Sequence, residues 1–261
     1  MSDVRIPIGP RRVRGKLIPP ERRGHDAAPV GRGQGAAPAN GGGRHPAVLF
    51  VHGWGGTQRR DIWKARMLAR QGCISLTFNL RGHGGTRSER DRVTRAHSLE
   101  DVRATYDFLV AQPGVDPERV ALVGSSYGAY IAVLLTAERK VRWLALRAPA
   151  IYKDAGFDRP KRQLNMEADL RAYRQSALAP ADNRALAVAA RFHGDVLVVE
   201  SEQDGVIPHQ VVANYLSAFG AARSVTHRVI RRADHALSSD AWRARYGTLL
   251  GAWFRERLAE R

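Results

Sequence analysis

A serine set between two glycines, in Gly124-Ser125-Ser126-Tyr127-Gly128, is the stretch of this chain best equipped for covalent chemistry. Val120 to Val123 before it read as a short buried strand, and Ile131 to Leu135 after it suit an internal helix, so the chain turns sharply at Ser126. A strand-to-helix turn of this kind holds its central serine in a strained conformation with Oγ exposed, where it can attack a carbonyl once a base takes its proton. Gly124 and Gly128 are small enough to let strand and helix approach each other. The unpaired N–H groups that begin the helix face any negative charge formed beside the hydroxyl.

The elements around this turn alternate in type. Pro46 to Val51 read as a buried strand that runs into His52-Gly53-Trp54-Gly55-Gly56-Thr57. A helix over Asp61 to Gln71, a strand over Cys73 to Leu80 and an Arg81-Gly82-His83-Gly84 turn follow. Ser98, with Asp101 three residues on, is expected to start a helix burying Leu99, Val102, Tyr106 and Leu109. Further strands are expected at Val141 to Leu146, Asp195 to Val199 and Val225 to Ile230, with a helix after Pro208 and a last helix capped near Ser239. Strands alternating with helices imply an α/β fold with a mostly parallel sheet, and Val4–Ile8 with Val13–Ile18 suggest a hairpin at one edge.

With its G-x-S-x-G turn and its H-G-x-G-G turn, the chain resembles the serine hydrolases of the α/β-hydrolase superfamily, of the esterase and serine aminopeptidase kind. The resemblance implies a triad in the chain order Ser, Asp, His: Ser126 as nucleophile, Asp204 as acid and His235 as base. Asp204 lies in an E-x-x-D-x-x-I-P loop where Glu200 and Glu202 are rivals, and His235 alone among nine histidines sits in the loop after the last expected strand. The R-G-x-G turn of such proteins is mainly structural, which leaves His83 a weak candidate base. The resemblance places an oxyanion hole at the backbone N–H groups of Trp54 and Tyr127. It also implies a small helical lid inserted at 151–193, whose Phe157, Leu164, Met166, Leu170 and Tyr173 are candidates to line a pocket. The substrate-contacting residues expected are Trp54, Arg147, Met166 and Tyr173, and an arginine at a strand end, Arg147 or Arg81, could favour acidic substrates. The activity implied is hydrolysis of carboxylic esters of small to medium acyl chain, a small-molecule substrate, without cofactor or metal. A peptidase, thioesterase or lactone hydrolase would use the same triad, and an inactive binding protein would share the scaffold.

Length and composition set outer bounds. The 261 residues suit one α/β-hydrolase domain over 1–261. The net charge of +17 comes mostly from arginines spread along the chain, without a helix-turn-helix, zinc-finger or aromatic-plus-basic signature, so no specific nucleic-acid partner is expected. Cys73 is the single cysteine, which excludes an internal disulfide. No apolar run has the length of a signal peptide or a membrane span, so the expected compartment is the cytoplasm. Residues 21–44, rich in Gly, Pro and Ala, offer no core-forming face and are expected to be a flexible loop. Shortening this segment should therefore leave ester turnover nearly unchanged; loss of fold or of turnover in the shortened protein would reject the loop reading.

Overall fold

The computed structural model describes residues 1–21, 43–164 and 169–260. Met166 and almost all of the 21–44 segment lie outside them. In chain order the elements are β1 (Ser2–Ile8), β2 (Arg11–Ile18), β3 (His45–Val51), α1 (Ile62–Ala69), β4 (Ile74–Phe78), α2 (Arg95–Val110), β5 (Val115–Ser125), α3 (Tyr127–Leu135), β6 (Trp143–Arg147), α4 (Lys161–Leu164), α5 (Leu170–Gln175), α6 (Arg184–Ala189), β7 (Asp195–Ser201), α7 (His209–Ala218), β8 (Ser224–Ile230) and α8 (Asp240–Ala259).

The described residues form one eight-stranded sheet in the order β1-β2-β4-β3-β5-β6-β7-β8. β1 and β2 make the antiparallel edge hairpin, β2 pairs antiparallel with β4, and the remaining neighbours are all parallel. The inner strands β3, β4, β6 and β7 are almost wholly buried, because helices cover both faces of a parallel sheet. Alternate strand residues divide the core in two. Val48, Phe50, Ala121, Val123, Trp143 and Ala145 face α1 and α8, where they meet Ala65, Leu68, Leu250 and Phe254. Leu49, Val51, Leu122, Leu144 and Leu146 face α2, α3, α6 and α7.

The C-terminal end of β3 and the turn from β5 into α3 are drawn together by contacts that tolerate no side chain. A Cβ on Gly128 would lie 2.1 Å from the carbonyl oxygen of Val51 and 2.5 Å from that of His52, and one on Gly124 would lie 2.5 Å from Cα of Ala129. Helix α3 thus starts directly against the end of β3.

Two buried histidines stitch the neighbouring turns. His52 Nδ1 donates to its neighbour's carbonyl, Gly53 O (2.8 Å), and Nε2 accepts from Leu80 N (3.1 Å). His83 Nδ1 donates to Arg81 O (3.0 Å), and Nε2 accepts from Gly55 N (3.0 Å). Both rings must be neutral to accept a hydrogen bond. Burial lowers the pKa of each, that of His83 from 6.5 to about 4. His83 is therefore a structural tie rather than a base.

One helix start differs from expectation. Thr94, not Ser98, opens α2: its side chain accepts from His97 N at 3.0 Å. The helix begins a turn earlier, and Asp101 becomes a buried interior residue instead of a cap. Its carboxylate receives Arg81 Nε at 2.7 Å and Arg81 N at 2.8 Å, which fixes the R-G-x-G turn and commits Arg81 to the fold rather than to a substrate.

Gly128→Ala should destabilise the protein by at least about 2 kcal/mol, since its methyl group must displace backbone rather than a side chain. Gly220→Ala, where a Cβ meets open space, should stay within about 0.5 kcal/mol in the same urea titration. Equal midpoints for the two variants would contradict the close approach. A second expectation concerns pH. The folded-state pKa of His83 is depressed, so below about 6.5 the unfolded chain binds more protons and the stabilising contribution of neutral His83 declines toward pH 4. His83→Gln should be less stable than wild type at pH 7, and the gap in urea midpoint should narrow by pH 5. A gap independent of pH would show that His83 is not held neutral.

Candidate active site

Ser126 sits between β5 and α3 with φ 52° and ψ −116°, a region costly for any residue but glycine, by about 1–3 kcal/mol. The surrounding backbone holds it there. Ser126 N donates to Arg147 O (2.8 Å), and Ser126 O accepts from Ala129 N (3.0 Å), Tyr130 N (3.2 Å) and Ala150 N (3.1 Å). This conformation turns the side chain off the sheet toward the loop that follows β8.

That loop brings His235 to the serine. His235 Nε2 lies 3.0 Å from Ser126 Oγ, and Nδ1 lies 2.7 Å from Asp204 Oδ2. An ionised carboxylate only accepts, so the ring proton sits on Nδ1 and Nε2 is left to accept from the serine hydroxyl. Asp204 comes from the loop after β7, and its other oxygen accepts from Val206 N and Ile207 N, both at 2.8 Å. Burial opposes ionisation of Asp204, but the hydrogen bonds from His235, Ile207 and Val206 outweigh it and keep the carboxyl below its ordinary pKa. The rival acids are engaged elsewhere. Glu200 faces His209 (2.7 Å) and His227 (3.0 Å), and Glu202 accepts from Arg232 N (2.7 Å).

The two residues expected to supply oxyanion donors lie on backbone next to Ser126. Tyr127 opens α3, so its N–H has no partner within the helix. Gly53 packs against Ser126 so closely that a Cβ on the glycine would lie 3.4 Å from Ser126 Cβ, which brings the Trp54 end of that turn beside the serine. The Trp54 indole stands edge to face with His83 (4.8 Å) and Tyr127 (5.3 Å), and Lys161 Nζ lies 4.7 Å over it.

The serine and histidine open into a cavity of about 820 Å³. Trp54 and Arg147, two of the candidates for substrate contact, line it. The His52–Gly56 turn adds to the wall, and a further part comes from elements to which the sequence assigns no function: Asp61, Trp63 and Lys64 from the start of α1, and Leu237, Arg243 and Tyr246 around the start of α8. Tyr173 is not among its lining residues. Its ring packs with the core beyond the opposite face of the sheet, and its hydroxyl accepts from Asn183 Nδ2 (2.9 Å). The described part of 151–193 does not roof this cavity: Ile151, Leu170, Leu186 and Phe192 fill the core beside α3 and α7. Met166, the remaining substrate-contacting candidate, lies outside the described residues. Asp61 and Lys64 escaped notice because an acid and a base three residues apart on a helix read as a solvated pair, whereas here both are buried and 2.7 Å apart. Among the described residues no cluster of His, Cys, Asp and Glu is placed to hold a metal, and no helix is long and apolar enough to cross a membrane.

Comparison with known proteins agrees with this architecture. An uncharacterized protein of Mycobacterium tuberculosis is 37% identical over 108 residues, 41% of this chain and 37% of its own length. The thiohydrolase aneE of Aspergillus aculeatus is 30% identical over 109 residues, 41% of this chain and 34% of its own. The alignments thus span little more than a third of these relatives. Among solved structures, Est1E from Butyrivibrio proteoclasticus superimposes with a TM-score of 0.69 at 14% identity, covering 100% of both chains, a likeness of fold. The model of the alpha/beta hydrolase family matches residues 48–254, from β3 to the end of the core of α8, and the chain belongs to that family.

Proposed function

We propose that this hydrolase cleaves carboxylic esters of small to medium acyl chain through an acyl-enzyme on Ser126. The observation that carries the reading is the hydrogen-bonded chain from Ser126 Oγ through His235 to Asp204, at 3.0 and 2.7 Å, opening into the cavity.

A serine hydroxyl is a weak nucleophile at neutral pH, so its attack on the ester carbonyl requires His235 Nε2 to take the proton as the C–O bond forms. Asp204 holds the ring in the tautomer that leaves Nε2 free and stabilises the imidazolium. The carbonyl oxygen gains negative charge as it becomes tetrahedral and is received by the N–H groups of Trp54 and Tyr127, each such donor being worth about 3 kcal/mol of barrier. On collapse the carbonyl re-forms, the bond to the leaving alcohol breaks, and His235 returns its proton to the departing oxygen. Water then enters, loses a proton to His235 and releases the acid from Ser126 by the same steps.

A thioester substrate is the second reading, favoured by the partial likeness to a thiohydrolase. The same residues serve it, because only the leaving atom changes.

A fluorophosphonate reacts with a serine only where a base activates the hydroxyl and donors receive the phosphoryl oxygen. One adduct on Ser126 is expected; Ser126→Ala should abolish labelling and Ser125→Ala should keep it. Asp204→Asn should lower kcat by about 10³- to 10⁴-fold with the fold intact, while Glu200→Gln and Glu202→Gln should be much milder. Wild-type protein that neither labels nor hydrolyses any nitrophenyl ester from acetate to decanoate would point to an inactive scaffold. Preference for acyl thioesters over matched oxygen esters would select the second reading, and fast aminoacyl anilide cleavage with weak ester turnover would make it a peptidase.

A further inference from the structure

The cavity beside Ser126 is unevenly charged. Arg60, Lys64, Arg147 and Arg243 line it against a single carboxylate, Asp61. Two of these cations have acidic partners: Lys64 Nζ lies 2.7 Å from Asp61 Oδ1, and Arg243 is ion-paired with Asp240 at 2.5 Å. Arg60 is exposed at the rim. Arg147 differs from all three. It ends β6 opposite Ser125, its side chain is on the α1 and α8 side of the sheet, and it is only 9% exposed. Among the described residues its guanidinium makes one hydrogen bond, from Nη1 to His235 O at 2.8 Å, and no ion pair.

A buried guanidinium with one neutral acceptor is poorly compensated, since it has five N–H donors and a full charge. Burial lowers the pKa of Arg147, opposed by Tyr246, Asp204 and Asp61, and of the two carboxylates Asp204 is hydrogen-bonded to His235 and Asp61 holds Lys64 through Oδ1. Tyr246 adds a buried hydroxyl without a partner among the described residues, on the same wall. The site therefore holds a fork of donors beside the nucleophile, on the cavity wall, with no protein anion among the described residues in hydrogen-bond contact with it. Planar bidentate donors of this kind match a carboxylate.

Resting on the serine-hydrolase reading above, we propose that this cavity selects esters that carry a carboxylate near the scissile bond, with Arg147 as the specificity-determining residue that receives it and Arg60 as an outer charge that draws it in. The preference is one of binding: the carboxylate is held equally before and during attack, so it acts on KM more than on kcat.

Matched ester pairs followed by acid release in a pH-stat test this and show on which side of the ester the charge belongs. Monomethyl glutarate against methyl pentanoate places the carboxylate in the acyl part, and 2-(butyryloxy)acetate against ethyl butyrate places it in the alcohol part. Wild type should prefer the charged member of one pair by on the order of tenfold or more in kcat/KM, the scale of a hydrogen bond to a charged group. Arg147→Gln should collapse that ratio toward one, chiefly by raising KM of the charged ester, and Arg60→Gln should reduce it several-fold. A wild-type enzyme that labels with fluorophosphonate and turns over neutral esters, yet shows no preference in either pair, overturns the proposal while leaving the serine-hydrolase reading intact. So does an Arg147→Gln enzyme in which charged and neutral esters lose the same factor in kcat, because Arg147 would then act only by positioning the His235 loop. Absence of labelling in wild type would instead strike the hydrolase reading itself.

Discussion

The first turn of α3 lies against the carbonyls that end β3, and the geometry of the site depends on that contact. Gly128 permits it, because any side chain there would overlap the Val51 and His52 oxygens. Once helix and strand ends are this close, the one residue between β5 and α3 is left no ordinary backbone conformation, and Ser126 takes a positive φ. The strain is held by the hydrogen bonds of Ser126 N and O to β6, α3 and Ala150. The same approach sets Tyr127 beside the turn that carries Trp54, their rings 5.3 Å apart. The proposed nucleophile and oxyanion donors thus lie on backbone whose packing is set before any side chain is considered, as preorganised electrostatic stabilisation requires.

Around this frame, strain and buried charge collect at one end of the sheet. Of the non-glycine residues with positive φ among those described, Ser126 and Leu237 line the cavity and Ala148 follows Arg147. His52 and His83, kept neutral by burial, tie the His52–Gly56 turn to the turn after β4, and Arg81 with Asp101 pins the latter to α2. Such features destabilise a protein locally and persist only where the surrounding fold over-determines them. Here that support is a sheet buried on both faces, with Ser126, Asp204 and His235 on turns and loops that leave its strands.

Much of this was legible in the sequence because the signals were strictly local. The apolar run Val120 to Val123 broken by Gly124 marks strand and turn together, and Asp204 and His235 each follow a β-branched run at the place where a parallel strand delivers its loop. The start of α2 was misplaced because Ser98 and Asp101 mimic a cap, while the actual cap, Thr94, is paired with a histidine in place of the usual Glu or Gln. The wall of the cavity was not legible for a different reason. Tyr246 sits at a spacing that means core, and it is buried, but its position near the start of α8 also exposes one edge to the cavity; periodicity reports the buried face of a helix and says nothing of what lies past its end.

The side on which the cavity opens follows from the parity of β5 and β6. Val123 and Ala145 point toward α1 and α8, so two residues further on Ser125 and Arg147 point the same way, beyond the ends of the hydrophobic layer. Tyr127, on the other side of the elbow, is carried into the opposite core, where its hydroxyl donates to Ser98. The long connection from β6 to β7 leaves on that second side, and its Ile151, Leu186 and Phe192 serve as a layer of the core there. Among the described residues, the cavity at Ser126 is therefore walled partly by the starts of α1 and α8 and by no part of 151–193, and the buried guanidinium of Arg147 stands in that wall with one hydrogen bond and no ion pair. In a partly enclosed site of low dielectric, such a charge is felt more strongly than the same charge in water. A fold shared by many hydrolases thus gains a polarity of its own from which face of two strands their last residues happen to occupy.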